Sequence, residues 1–155
     1  KMNEFQAAMG LCNLRKVGAD IRKRKALSEL YDAYLADIPG IRVNQTQAGV
    51  KRNYSYYPIL IDEKICGSNR DQVIAALQAE NIYPRKYFYP LTSEFACYQK
   101  DYDAKKATPV AYEISQRVLT LPLYPSLTQE QVGKIVTTLI HAVQGEPPQY
   151  QWAVG

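Results

Sequence analysis

Arg117-Val118-Leu119-Thr120-Leu121-Pro122-Leu123-Tyr124 is the stretch on which the fold turns. Its centre, Leu119 to Leu123, is a strand-like apolar run. A helix is predicted on either side. Upstream, Thr108 is a good cap and Pro109 suits a first helical turn, with Val110, Ile114 and Val118 as the apolar residues. Downstream, Thr128 and Gln131 have capping-box spacing. The helix they open carries Ile135, Leu139, Ile140 and Val143 and stops at Gly145, before Pro147-Pro148.

Working outward, Ser68 or Asn69 caps a helix running to Asn81, with Val73, Ile74 and Leu77 turned inward. Tyr54 to Ile61 is aromatic and β-branched, which favours a strand. Pro58 inside it predicts an edge position or a bulge. Ile41 to Asn44 reads as a short strand, Gln45 to Asn53 as a polar loop, and Ile82 to Tyr89 as extended chain. Leu91 to Gln99 is loop with a helical turn. The first 38 residues predict two helices. The first carries a stripe of Met2, Phe5, Met9 and Cys12. The second runs from about Gly18 to Asp37, with Leu27, Leu30, Tyr31, Tyr34, Leu35 and Ile38 at helical period. Pro39-Gly40 ends it. The sum is an α/β fold, helices packed on a short, mostly antiparallel sheet. Residues 1–145 form one domain and 146–155 an extended tail.

Bulk properties narrow the function classes. A chain of 155 residues supports one buried core, and 46% hydrophobic with 22% charged residues is a globular balance. No apolar run approaches the ~18 residues of a bilayer span, so no membrane partner is expected. The N-terminus has no basic stretch followed by an apolar one, which sets the cytoplasm as the expected location. The start so close to a helix suggests a piece of a longer protein. Cys12, Cys66 and Cys97 include no CxxC pair, and His141 is the single histidine, so neither a disulfide framework nor a metal site is expected. His141 reads as structural or exposed, and no glycine-rich phosphate loop is present.

Two local features stand out. Arg15, Lys16, Arg22, Lys23, Arg24 and Lys25 form a basic cluster within a net charge of +4. It reads either as the solvated face of a helix or as an attractor of nucleic acid or another polyanion. No base-reading motif accompanies it, so nucleic acid is the disfavoured partner. The second feature is tyrosine: of thirteen, six (Tyr54, Tyr56, Tyr57, Tyr83, Tyr87 and Tyr89) crowd into two short segments.

Four motifs in order carry a family resemblance. Lys1-Met2-Asn3-Glu4-Phe5-Gln6-Ala7-Ala8-Met9-Gly10-Leu11, completed by Leu14, resembles the opening signature of the sugar aminotransferases often called the DegT/StrS family. Tyr31 to Leu35 is similar to the end of that family's basic helix. Asn81 to Leu91 resembles its segment leading to an active-site loop. Arg117 to Tyr124, with Leu127, Thr128, Glu130 and Val132, resembles its last strand and the start of its last helix.

The resemblance implies the small C-terminal domain of a fold type I, pyridoxal-phosphate-dependent enzyme that works as a homo-oligomer. It implies amino transfer, from glutamate, to a keto-deoxysugar nucleotide in the intact enzyme. The cofactor-holding lysine belongs to the family's large domain. No catalytic or cofactor-binding residue, no bound cofactor and no activity are therefore expected of this chain alone. What it can contribute is substrate recognition, by Arg85, Lys86, Tyr87, Phe88 and Tyr89. Arg85 and Lys86 are candidates for meeting the diphosphate, or else an exposed pair at a strand edge. The tyrosines offer a stacking face and a hydroxyl, or else line the sheet. Tyr87 and Thr92 stand where many relatives carry histidine, which leaves the sugar preference open. The alternative function is a non-catalytic regulatory or binding domain, acting on nucleic acid through the basic helix.

Overall fold

The computed structural model describes residues 1–100 and 103–144; the tail expected at 146–155 lies outside them. The chain opens with helix α1 (Glu4–Leu35). Asn3 caps it reciprocally: Gln6 N donates to Asn3 Oδ1 at 2.9 Å and Asn3 N donates to Gln6 Oε1 at 3.0 Å. Two helices were expected here, and the structure has one of 32 residues. The physical reason is that Gly10 and Gly18 each cost only about 1 kcal/mol against alanine, and no proline interrupts the run. Only the last part of α1 reaches the core, through Leu27, Ser28, Tyr31 and Leu35. After Pro39 the chain turns at Gly40, whose φ of 80° favours glycine and where a Cβ would strike Cys66 Sγ.

Three strands follow, β1 (Ile41–Val43), β2 (Tyr57–Ile61) and β3 (Val118–Leu121), paired antiparallel in the order β1-β2-β3. The register sets Ile41 opposite Ile61, and Ile59 opposite both Val43 and Leu119. Tyr57, Ile59 and Ile61 are buried while Pro58 and Leu60 are half-buried, the period-2 alternation of a strand.

Pro58 was expected to place its strand at an edge or to mark a bulge, yet β2 lies in the middle of the sheet. Thr120, its partner on β3, exchanges both backbone bonds with Arg85 on the far side (2.8 and 3.0 Å). Thr120 therefore makes none with Pro58. The donor that proline lacks would have pointed toward β1, which has already ended at Val43 opposite Ile59. The strand is central over Ile59–Ile61 and locally an edge at Pro58.

Helices α2 (Glu63–Cys66) and α3 (Arg70–Ala79) follow β2, and a 3-10 turn at Thr92–Glu94 fills the expected helical turn. Then come α4 (Ala104–Ala107), α5 (Pro109–Arg117) and, after β3, α6 (Gln129–Gln144). Val73, Ile74 and Leu77 of α3 meet Val132, Ile135, Val136, Leu139, Ile140 and Val143 of α6 and the inner sheet face in one core. The Thr128–Gln131 capping box is present (2.9 and 3.1 Å). In α5 the apolar stripe is not turned inward: Val110 and Ile114 are exposed, Ser115 is the buried residue, and Val118 already belongs to β3. Arg117 ties the end of α5 to the end of β2, donating to Ile61 O and Asp62 Oδ2, both at 3.0 Å.

Tyr31 and Tyr57 stack at 4.7 Å between ring centroids. Tyr57 Oη donates to Asp32 Oδ1 at 2.7 Å, and Tyr31 Oη donates to Pro122 O at 3.0 Å. Burial pushes both phenols well above the usual tyrosine range, and for Tyr57 the Asp32 carboxylate adds to it. These two tyrosines are core.

Candidate functional site

Helix α3 ends where Asn81 takes a left-handed φ of 59°, and Ile82 N returns to Leu77 O at 2.9 Å. That turn aims the next residues along β3. Ile82 to Tyr89 was expected as extended chain; it touches the sheet only at the Arg85–Thr120 bridge and then leaves it. The peptide bonds Tyr87–Phe88 and Tyr89–Pro90 are cis. Phe88 is 74% exposed and Tyr89 41%, so these two stand on the surface rather than lining the sheet, while Tyr87 is half-buried.

The five candidate residues form one ridge with a support beneath it. Arg85 Nη1 donates to Tyr87 Oη at 2.6 Å, and Tyr87 meets Phe88 with centroids 5.3 Å apart. Lys86 Nζ pairs with Asp71 Oδ1 at 2.9 Å and lies 5.3 Å from the Tyr89 ring centroid. Arg70 completes the support. It is 4% exposed, donates through Nε to Asp71 Oδ1 at 2.8 Å and through Nη1 to Ser115 O, and sits 4.5 Å from the centre of the Tyr89 ring. A buried guanidinium is retained only when its donors are used and its charge is paired. Here the pair is Asp71, whose carboxyl is held below the usual carboxylate range, first by the hydrogen bond from Arg70 and also by Lys86, against an opposing effect of partial burial.

The two cations expected to act together are therefore different. Lys86 is engaged by Asp71. Arg85 is exposed, and one bond to Tyr87 leaves most of its five donors available.

Arg70 and Asp71 were missed as part of this surface, because their sequence position signalled only the first turn of a helix after the Asn69 cap. The second tyrosine-rich segment was also missed. Tyr56 meets Tyr87 edge-on with centroids 5.1 Å apart. The signal was the crowding of tyrosines in two segments; which ring met which was not in it.

Elsewhere, Arg24 of the basic cluster donates to Tyr54 O at 2.8 Å and Asn53 O at 3.2 Å, and Lys25 pairs with Glu29 at 3.5 Å. The cluster is thus partly spent inside the chain. His141 is exposed, and all three cysteines are free thiols. Among the described residues no group of three or more His, Cys, Asp or Glu is placed to hold a metal, and no helix is long and apolar enough to cross a membrane.

Comparison with known proteins identifies the family and the fold. The profile of the DegT/DnrJ/EryC1/StrS aminotransferase family matches residues 1–140. The chain is 40% identical over 141 residues to dTDP-4-amino-4,6-dideoxy-D-glucose transaminase of Escherichia coli, covering 90% of this chain and 38% of that protein. It is 32% identical to the spore coat polysaccharide biosynthesis protein SpsC of Bacillus subtilis, covering 94% and 38%. The crystal structure of DesI in the presence of its TDP-sugar product superposes with a TM-score of 0.85 at 30% identity, over 93% of this chain and 36% of DesI. The chain spans a little over a third of the length of the relatives it matches.

Proposed function

This chain belongs to the DegT/DnrJ/EryC1/StrS aminotransferase family, and from that premise we propose that it serves as the C-terminal small domain of a nucleotide-sugar aminotransferase. The domain comprises residues 1–145. The reaction is transfer of an amino group, from glutamate, to a keto carbon of a deoxysugar carried on a nucleotide. The observation that carries this reading is the family match over residues 1–140, joined to an exposed cationic and aromatic ridge at 85–89.

In this reading Arg85 meets the diphosphate with charge-assisted hydrogen bonds. Tyr87, Phe88 and Tyr89 present faces and hydroxyls to the sugar or the base. Lys86, paired with Asp71, holds the ridge in place and adds positive potential to it. The exposed apolar part of α1 meets another copy of the chain, and the protein works as a homo-oligomer. Cytoplasmic location belongs to the same proposal, as does the assignment of nucleotide-sugar and glutamate as small-molecule partners. The non-catalytic, nucleic-acid-binding alternative is not favoured by the family.

Pyridoxal phosphate, when bound in an enzyme of this class, supplies the electron sink for amino transfer. The described residues of this chain do not fit the task of holding it. Every described lysine except Lys86 is exposed, and Lys86 is ion-paired, so none is the desolvated amine that imine chemistry uses. The chain's own part is to bind and orient substrate.

A chimera tests the proposal: residues 1–144 of this chain replace the matching segment of the Escherichia coli relative. Amine transfer from glutamate to a dTDP-linked keto-deoxysugar is the expected result, with Arg85→Gln raising KM for the sugar nucleotide by about tenfold. A folded, cofactor-loaded chimera with no turnover of any nucleotide-linked keto-sugar would overturn it.

A further inference from the structure

Residues 51–56 form a second surface beside the ridge. Lys51, Arg52 and Tyr56 are exposed or half-exposed, and the loop borders a shallow cavity of about 430 Å3, within the rough 300–1,000 Å3 range of small-ligand sites. Its backbone is held in an uncommon shape. Tyr54 has a φ of 52°, a left-handed conformation that bulky side chains rarely adopt. Arg24 reaches across from α1 to hold it, with its guanidinium bonded to the carbonyls of Tyr54 and Asn53. The Arg52 guanidinium lies 5.4 Å from the Tyr54 ring centroid and donates to Thr46 Oγ1 at 3.2 Å. The core takes none of this: Tyr31 and Tyr57 fill it, while Tyr56 stays 52% exposed.

A nucleoside diphosphate needs a flat aromatic face for its base and cations for its phosphates. The loop offers both, and it is continuous with the ridge, because the Tyr56 and Tyr87 rings touch. We infer that residues 51–56 form the nucleotide end of the substrate groove, Tyr56 stacking on the base and Lys51 and Arg52 meeting the diphosphate from the side opposite Arg85. Arg24 acts as a positioning residue that keeps Tyr54 and the loop behind it in shape. This inference rests on the nucleotide-sugar reading above and adds the element that tells a nucleotide from a bare sugar phosphate.

The test is a titration of the 155-residue chain with thymidine 5′-diphosphate and, separately, with inorganic pyrophosphate, followed by amide NMR. Thymidine diphosphate is expected to move resonances in both 51–56 and 85–89. Arg52→Gln should weaken both ligands by about tenfold. Tyr56→Ala should weaken thymidine diphosphate by roughly tenfold and leave pyrophosphate unchanged. The spectra of both variants report whether the fold is intact. Shifts confined to 85–89 would overturn this inference and leave the ridge assignment standing. Silence in both segments would overturn both. Equal weakening of both ligands by Tyr56→Ala would overturn the stacking role.

Discussion

Along α1, the turns from Leu27 to Leu35 are packed into the core against α6 and the sheet, whereas those from Glu4 to Val17 stand in solvent. Tyr31 and Leu35 are 0% exposed; Phe5 is 89% and Met9 66%. The two halves share one hydrogen-bonded cylinder, and both carry large apolar residues. At 1.5 Å per residue the helix is about 48 Å long, well beyond the reach of a core of this size. Backbone continuity follows from local preference and the Asn3 cap, while burial follows from what lies opposite. The difference teaches that helix formation and helix packing are separate events in this chain. An apolar patch left by the second has the character of an interaction surface.

The sharpest way to break this comparison is to truncate one residue from each half. Leu35→Ala removes a side chain from the core and should lower unfolding stability by about 2–5 kcal/mol. Phe5→Ala, in dilute chain, should change it by no more than about 0.5 kcal/mol. Urea denaturation followed by circular dichroism decides; similar losses would mean that the first half is packed after all.

A smaller effect is expected from association. If the exposed half meets a partner copy, each covered Phe or Met contributes roughly 1.5–3 kcal/mol. Phe5→Glu together with Met9→Glu should then weaken self-association by more than about tenfold. Light scattering over a dilution series measures it. A strictly monomeric parent chain at high concentration would remove the surface role of this stripe.

The smallest effect sits inside the packed half. Ser28 is 1% exposed, and its Oγ finds no hydrogen-bond partner among the described residues. Ser28→Ala removes an unsatisfied hydroxyl and raises helix propensity, so stability should rise by about 0.5–1 kcal/mol. A loss in thermal melts would show that the hydroxyl is used.

Elements whose signal is local were legible in the sequence. The Thr128–Gln131 box, the cap read at Ser68 or Asn69 and found at Asn69, and the inward face of α3 all depend on neighbours within a few residues and are present; the apolar run read at 119–123 is a strand over Val118–Leu121. The misread elements depend on something distant. The break between two helices was placed just before Gly18, where nothing in the sequence is strong enough to make one. Pro58 was given an edge strand or a bulge, because its tolerance depends on where β1 stops, a fact fixed by another segment. The stripe of α5 was read from spacing, and spacing cannot say which side the sheet occupies.

The candidate site divides the same way. The five residues from Arg85 to Tyr89 were found from motif order and residue chemistry. Their separation into an exposed Arg85 and a Lys86 held by Asp71 came from the position of α3's first turn beneath them.

By itself, the sequence determined the caps, the strand and helix periods, the family and the candidate segment at 85–89, because each is written in side chains a few positions apart. Tertiary structure alone decided which half of α1 is buried, that Arg70 is drawn under Tyr89, and that Tyr56 meets Tyr87 across 31 positions of chain (87 − 56). Burial and ring contact depend on the partner brought opposite, and that partner is chosen by the packing of the whole core.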